Sequence, residues 1–250
     1  MSGLVRLGRL LLGVMLAVAA PSSGWTAECA CRELKIAIDV GHAWFDGGAT
    51  SSRGKSEFDF NLAMGNQILD QLVMNGYRRA FAIVNPPNLR ERVRIAETRQ
   101  ADLLISIHHD SVQPMYLKPW EHNGRKQRYS DAFKGYSILV STKSLQFTKS
   151  LEFAKLLGGN FRAAGFQPAY HHSRKVVGGR HNMLDENLGI YQFDNLVVLK
   201  YPSIPAVLIE FGVIVHRDEE ILLGTPETRE KMTRAVVDAV KRFNALECPA

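Results

Sequence analysis

The sequence predicts an α/β fold: one domain on a mostly parallel or mixed, twisted sheet, flanked by helices on both faces, with its active site at strand carboxyl ends. Three observations lead there. Short apolar runs of strand length alternate with longer segments of helical periodicity. Several runs are continuously apolar, the pattern of strands covered on both faces. Polar residues able to do chemistry, His42 and His108 among them, directly follow such runs, where open α/β sheets gather their ligands.

Taken in order, residues 35–40 form a short apolar strand that ends at Gly41, and the Gly-rich stretch 46–54 is a loop. From Glu57 to Asn75, Phe58, Leu62, Ile68, Leu69 and Leu72 recur at helical spacing, with Gly76 as a stop. A second strand is expected over 80–84, a helix over 89–99 and a third strand over 102–107, running directly into His108, His109 and Asp110. The polar stretch 113–134, with Pro114, Pro119 and Gly124, reads as a surface loop before strand character resumes over 135–141. A helix follows over 150–164, then an irregular, His- and Gly-rich segment over 165–189. Strands are expected over 196–199 and, after Pro205, over 206–210. A long amphipathic helix over 225–246, starting near Pro226, closes the domain.

The termini read differently. Arg6 and Arg9 precede an unbroken apolar stretch from Leu10 to Ala20, followed by small and turn-forming residues to Ala27. This is the pattern of a secretory signal peptide, and the apolar run is too short to span a bilayer. The expected organisation is therefore a signal peptide over 1–27 and a catalytic domain over 28–250, its core spanning about 35–246, exported to the periplasm or beyond with no stable membrane insertion after cleavage. Losing Arg6 and Arg9 lowers the formal charge from +6 by two, to +4. Such a mildly basic chain suits an anionic envelope polymer, whereas its scattered cations, with no stripe or aromatic interleaving, argue against nucleic acid. Cys29, Cys31 and Cys248 stand at the two ends of the mature chain, where an oxidising compartment allows one of the first two to pair with the last.

Three residues at element boundaries, His42, Glu57 and His108, offer two imidazoles and a carboxylate. That set suits catalytic zinc, which keeps a fourth position open for water. Each has an alternative: a strand-end histidine is often a hydrogen-bonded boundary residue, and an acid in a first helical turn is favoured by the helix dipole alone. Glu210 ends an apolar run, an expensive place for a charge unless it is paired, with Arg92 or Arg217 for example, or functional.

Four segments carry a resemblance that covers nearly the whole mature chain: IAIDVGHAWFDGGA, SEFDFNLAMG, RVRIAETRQADLLISIHHDS and IPAVLIEFGVIVHRDEE. In order and spacing they resemble the zinc-dependent N-acetylmuramoyl-L-alanine amidases, the amidase_3 family of cell-wall hydrolases. The resemblance implies hydrolysis of the amide bond between N-acetylmuramic acid and L-alanine in peptidoglycan. It places zinc on His42, Glu57 and His108 and makes Glu210 the catalytic carboxylate. A monomer is expected, with an activator protein conceivable as partner.

Departures from the family pattern accompany the match. Ala43 and Trp44 stand where glycines are usual, Asp110 and His216 where asparagines are usual. His109 should point away from His108, because adjacent residues of an extended chain alternate sides. His171, His172 and His181 lie in the irregular segment and remain unassigned between exposed loop residues, substrate contacts and ligands of a surplus metal. Two further readings stay open: a zinc carboxypeptidase using Arg125 or Arg180 to grip a terminal carboxylate, and a peptidoglycan-binding protein without catalysis.

Overall fold

The computed structural model describes residues 33–173 and 181–248. The expected signal peptide, Cys29, Cys31 and Arg180 lie outside them. Four parallel strands make the left half of the sheet: β1 (Ile36–Val40), β2 (Phe81–Ile83), β3 (Leu103–Asp110) and β9 (Ala206–Val213). The right half holds β6 (Ser137–Val140), antiparallel to β9, then β8 (Ile190–Gln192) and β7 (Met183–Asp185). The order across the seven strands is β2-β1-β3-β9-β6-β8-β7, so the sheet is mixed.

Period-two alternation sorts the strand side chains between two cores. Ile36, Ile38, Ile105, Ile107, Val207 and Ile209 face α1 (Glu57–Met74), α3 (Phe147–Ala163) and α6 (Pro226–Leu246). Ala37, Leu104, Leu139, Ala206 and Leu208 face the opposite layer, made by α2 (Leu89–Thr98) and α4 (Val197–Lys200). Each fully buried Ile or Leu contributes about 1.5–3 kcal/mol of burial energy, so both faces hold the sheet. Side-chain caps set the helix starts: Ser56 accepts from Asp59 N, Asn88 from Glu91 N, and Thr225 from Thr228 N ahead of Pro226.

Three expectations are corrected. The run at 196–199 is not a strand: Val197–Lys200 is a helix that seats Val198 and Leu199 on the second core, and β8 occupies the place in the sheet. A four-residue apolar run satisfies either geometry, and here packing decides. The stretch 113–134 is not simply loop, because β4 (Lys118–His122) and β5 (Arg125–Tyr129) form a hairpin turned by Asn123 and Gly124, both at positive φ. Within 165–189, β7 and a 3₁₀ turn at His171–Ser173 give order to part of the irregular segment. A short helix, α5 (Arg217–Leu223), was not anticipated.

Cys248 is disulfide-bonded, in line with the expectation that the last cysteine pairs. No helix among the described residues is long and apolar enough to cross a membrane.

Candidate metal centre

The carboxyl ends of β1, β3 and β9 lie side by side because the three strands are parallel neighbours. The chain leaves β1 through Gly41 into His42, which sits in the left-handed region at φ 63. That conformation costs a non-glycine residue about 1–3 kcal/mol, so neighbouring contacts must hold it. Arg92 does so from α2, donating to the Val40 and His42 carbonyls at 2.5 Å each and to Asp39 Oδ1 at 2.5 Å. Asp39 is itself fully buried, and its Oδ2 accepts from Ser106 Oγ at 2.7 Å. One buried ion pair thus ties β1, α2 and β3 together beneath His42.

Glu57 opens α1 and reaches both histidines. Its Oε2 lies 3.0 Å from His42 Nε2 and its Oε1 lies 2.9 Å from His108 Nδ1. Ala49 N donates to Oε2 at 3.1 Å and Asn61 Nδ2 to Oε1 at 3.2 Å, which fixes the carboxylate plane. Burial pushes the Glu57 carboxyl up, but the hydrogen bonds from His108 and His42 outweigh it and hold the group well below the usual carboxylate range. The bond to Glu57 raises His42, against the opposing effect of burial.

Glycines make room for these rings. A Cβ on Gly41 would stand 2.4 Å from His108 Nε2. One on Gly48, whose φ is +70, would meet His42 Cδ2 at 2.5 Å and Glu57 Oε2 at 2.6 Å. The loop carrying Gly48 is pinned from below by buried Glu220 of α5, which accepts from Ser51 Oγ at 2.7 Å, from Ser52 Oγ and from Arg53 Nη1 at 2.9 Å. Trp120 of the hairpin donates to Ser52 O at 2.8 Å from the outside.

Glu210 stands directly across from His108 in the β3–β9 register. Arg92 and Arg217, the bases considered for it, are taken by Asp39 and Asp131. Its Oε2 is sealed from solvent with no hydrogen-bond partner among the described residues. Burial first, then the charges of Asp110 and Glu57, raise its pKa well above the usual carboxylate range.

The donor set, two imidazole nitrogens and a carboxylate within 4.8 Å of one another, fits a divalent ion of the zinc class. A cleft of about 330 Å³ adjoins it, lined by His42, Phe45, Arg92, His108 and residues of α4. Trp44 and Phe45, 75% and 57% exposed, stand as an edge-to-face pair on that side.

The other histidines separate clearly. His109 does point away from His108: it is buried between Phe60 and Phe211, and its Nδ1 lies 2.8 Å from Asn61 Oδ1. Burial drops its pKa to about 3. His216 caps α5, its Nδ1 accepting from Asp218 N and Glu219 N. His181 stacks on Phe193 at 3.6 Å. His171 and His172 both converge on Asp110, a long-range meeting that no local spacing announces. Arg125 lies exposed at the tip of the hairpin, outside the cleft lining.

The sequence profile of a family described as Amidase_3, N-acetylmuramoyl-L-alanine amidase, matches residues 36–242. N-acetylmuramoyl-L-alanine amidase AmiA of Escherichia coli K12 is 27% identical over 231 residues, 82% of this chain and 74% of that protein. Among solved structures, the amidase Ami1 of Mycobacterium smegmatis superposes with a TM-score of 0.64 at 18% identity, covering 85% of this chain and 97% of that one. The CwlD amidase of Clostridioides difficile, solved in complex with the GerS lipoprotein, gives 0.61 at 18% identity, covering 86% and 100%.

Proposed function

This chain belongs to the N-acetylmuramoyl-L-alanine amidase family, and from that premise we propose that it cleaves peptidoglycan with a zinc ion held by His42, Glu57 and His108 and with Glu210 as the proton-transfer group. The reaction is hydrolysis of the amide bond between N-acetylmuramic acid and L-alanine. The observation that carries the assignment of roles is the pairing of His108 with Glu210 across adjacent parallel strands, with the buried Glu210 Oε2 left partnerless beside the triad.

When bound there, zinc would supply Lewis acidity for the scissile carbonyl and for the attacking water. His42 and His108 would hold it as neutral ligands and Glu57 as the one anionic ligand. The accessible oxygen of the Glu210 carboxylate accepts the proton of the attacking water as the water oxygen bonds to the carbonyl carbon. As the carbon–nitrogen bond breaks, Glu210 returns a proton to the L-alanine nitrogen, which departs as an amine. Its partly sealed setting, which favours the protonated form, suits the second half of that cycle. The cleft beside His42 and His108 offers room for the substrate next to the scissile bond, with exposed Phe45 on its wall and Trp44 packed edge-to-face against Phe45.

Export by residues 1–27 would bring the enzyme to this substrate. An activator protein is a further element of the proposal, supported by the lipoprotein complex of the CwlD neighbour.

The test is incubation of residues 28–250 with purified peptidoglycan, with and without chelator and added zinc, followed by mass analysis of soluble products. Chelator-sensitive release of intact stem peptides bearing a free L-alanine amine is expected. Release of single amino acids would indicate a carboxypeptidase instead, and no release from zinc-loaded protein would indicate a required activator or a binding role.

A further inference from the structure

Asp110, His171 and His172 form a second cluster whose ligand atoms all lie within 4.8 Å of one another. His171 Nε2 lies 2.9 Å and His172 Nε2 2.7 Å from the same oxygen, Asp110 Oδ2. The separations match the 3.0 and 2.9 Å of the first triad. Tetrahedral bonds of ~2.0–2.1 Å set neighbouring ligand atoms roughly 3.3 Å apart, a relaxation of a few tenths of an ångström from what is seen in either cluster.

The three atoms are close, yet none is hydrogen-bonded. Asp110 Oδ2, both Nε2 atoms and His171 Nδ1 are buried and lack any hydrogen-bond partner of acceptable geometry among the described residues. Four unsatisfied buried polar atoms in one place carry a desolvation cost of about 1–3 kcal/mol each. A neutral pair of imidazoles donating to the carboxylate would remove that cost only if the N–H groups pointed along the short N···O lines, and they do not. Three ligand-type atoms held this close without hydrogen-bond geometry between them are what a cation site presents.

The surroundings hold the rings in place. Phe133 packs on His171, while Tyr191 and Phe193 stand edge-on to His172. Asp110 is fixed by β3, whose Asp110 carbonyl accepts from Ile214 N at 2.9 Å. Two imidazoles and one carboxylate are a zinc-class donor set, harder than a thiolate site and softer than an all-oxygen calcium site.

We propose that Asp110, His171 and His172 bind a second divalent cation of the zinc class, distinct from the ion on His42, Glu57 and His108. The inference does not rest on the amidase mechanism. The first cluster's ion enters only as the count of one against which a second is measured.

The experiment is metal stoichiometry. Residues 28–250, loaded with excess zinc and passed into metal-free buffer, should carry two zinc ions per chain by elemental mass spectrometry. The double variant His171→Gln, His172→Gln should carry one, as should His42→Ala; the triple combination should carry none. Asp110→Asn, which keeps the side-chain shape, should weaken the second zinc at least tenfold. Should the double variant not fold, by circular dichroism, a cobalt(II) titration of the unaltered protein decides instead: absorption in the visible saturating at two equivalents supports the site. One zinc per chain that His42→Ala removes, cobalt saturating at one equivalent, or two zinc ions undiminished by the Asp110 and double-histidine variants would overturn it. A protein with two zinc ions that releases only single amino acids from peptidoglycan would leave this site standing while removing the proposed amidase function.

Discussion

Two clusters of two histidines and one carboxylate sit along the same edge of the sheet, with nearly the same separations, but they are held differently. Around His42, Glu57 and His108, each carboxylate oxygen of Glu57 has its own histidine and its own backbone or amide donor. Around Asp110, both histidines crowd one oxygen, Oδ2, while Oδ1 accepts from Ser111 N, and four buried polar atoms of the three side chains lack a hydrogen-bond partner among the described residues. The first is supported by a strand end, a helix start, two glycine positions and a buried Arg–Asp pair. The second is supported by the end of β3 and a three-residue turn. The difference teaches that ligand type and spacing describe a site only in part; the contacts around the ligands determine whether it is satisfied before an ion arrives.

The largest expected effect would break the comparison if it failed. His42→Ala should lose one metal ion and reduce turnover to background, while Glu210→Gln should keep both ions and still lower turnover by about 10²–10⁴-fold. Metal content measured beside the peptidoglycan digest checks this, and equal metal loss in the two variants would remove Glu210 from its role as a proton carrier.

A smaller effect separates the supports of the two clusters. Asn61 holds Glu57 Oε1, the Gly41 carbonyl and His109 at once. Asn61→Ala should weaken zinc affinity at the first cluster by about 10–100-fold, read by competition with a chelating dye, and leave the second unchanged.

The smallest concerns Glu219, which braces the end of β9 beside Asp110 by accepting from Val213 N and Gly135 N. Burial pushes it up to about 7 even though those two donors pull it down. Its folded pKa therefore exceeds its unfolded one, and the folded chain holds a proton that the unfolded chain releases. Stability from this group is present below the ordinary carboxylate pKa and is lost as pH rises through about 7. Glu219→Gln should flatten that decline by on the order of 1–2 kcal/mol between pH 5 and 8, measured by urea unfolding at each pH.

The legible parts of the molecule are those where local signals agree. His42 follows β1, Glu57 opens α1, and His108 and Glu210 come where the apolar runs of β3 and β9 give way to polar residues, and the parallel order of β1, β3 and β9 brings these positions together. The hairpin reads as surface loop in the sequence despite the turn signal at Asn123-Gly124, because its charged strands lack the apolar alternation that marks a half-buried sheet. At Val197–Lys200 the four residues fit a strand or a helix equally, and only contact with the second core selects the helix. Asp110 and His171 are some sixty positions apart with a hairpin, a strand and a helix between them, so their meeting is a property of tertiary packing alone.

The loop that walls the first cluster is fastened at Ser51, Ser52 and Arg53 to Glu220 and at Ser52 to Trp120, so its ordering is complete once the chain has folded. If His42, Glu57 and His108 hold an ion as proposed, its capture should need no prior closure of this loop.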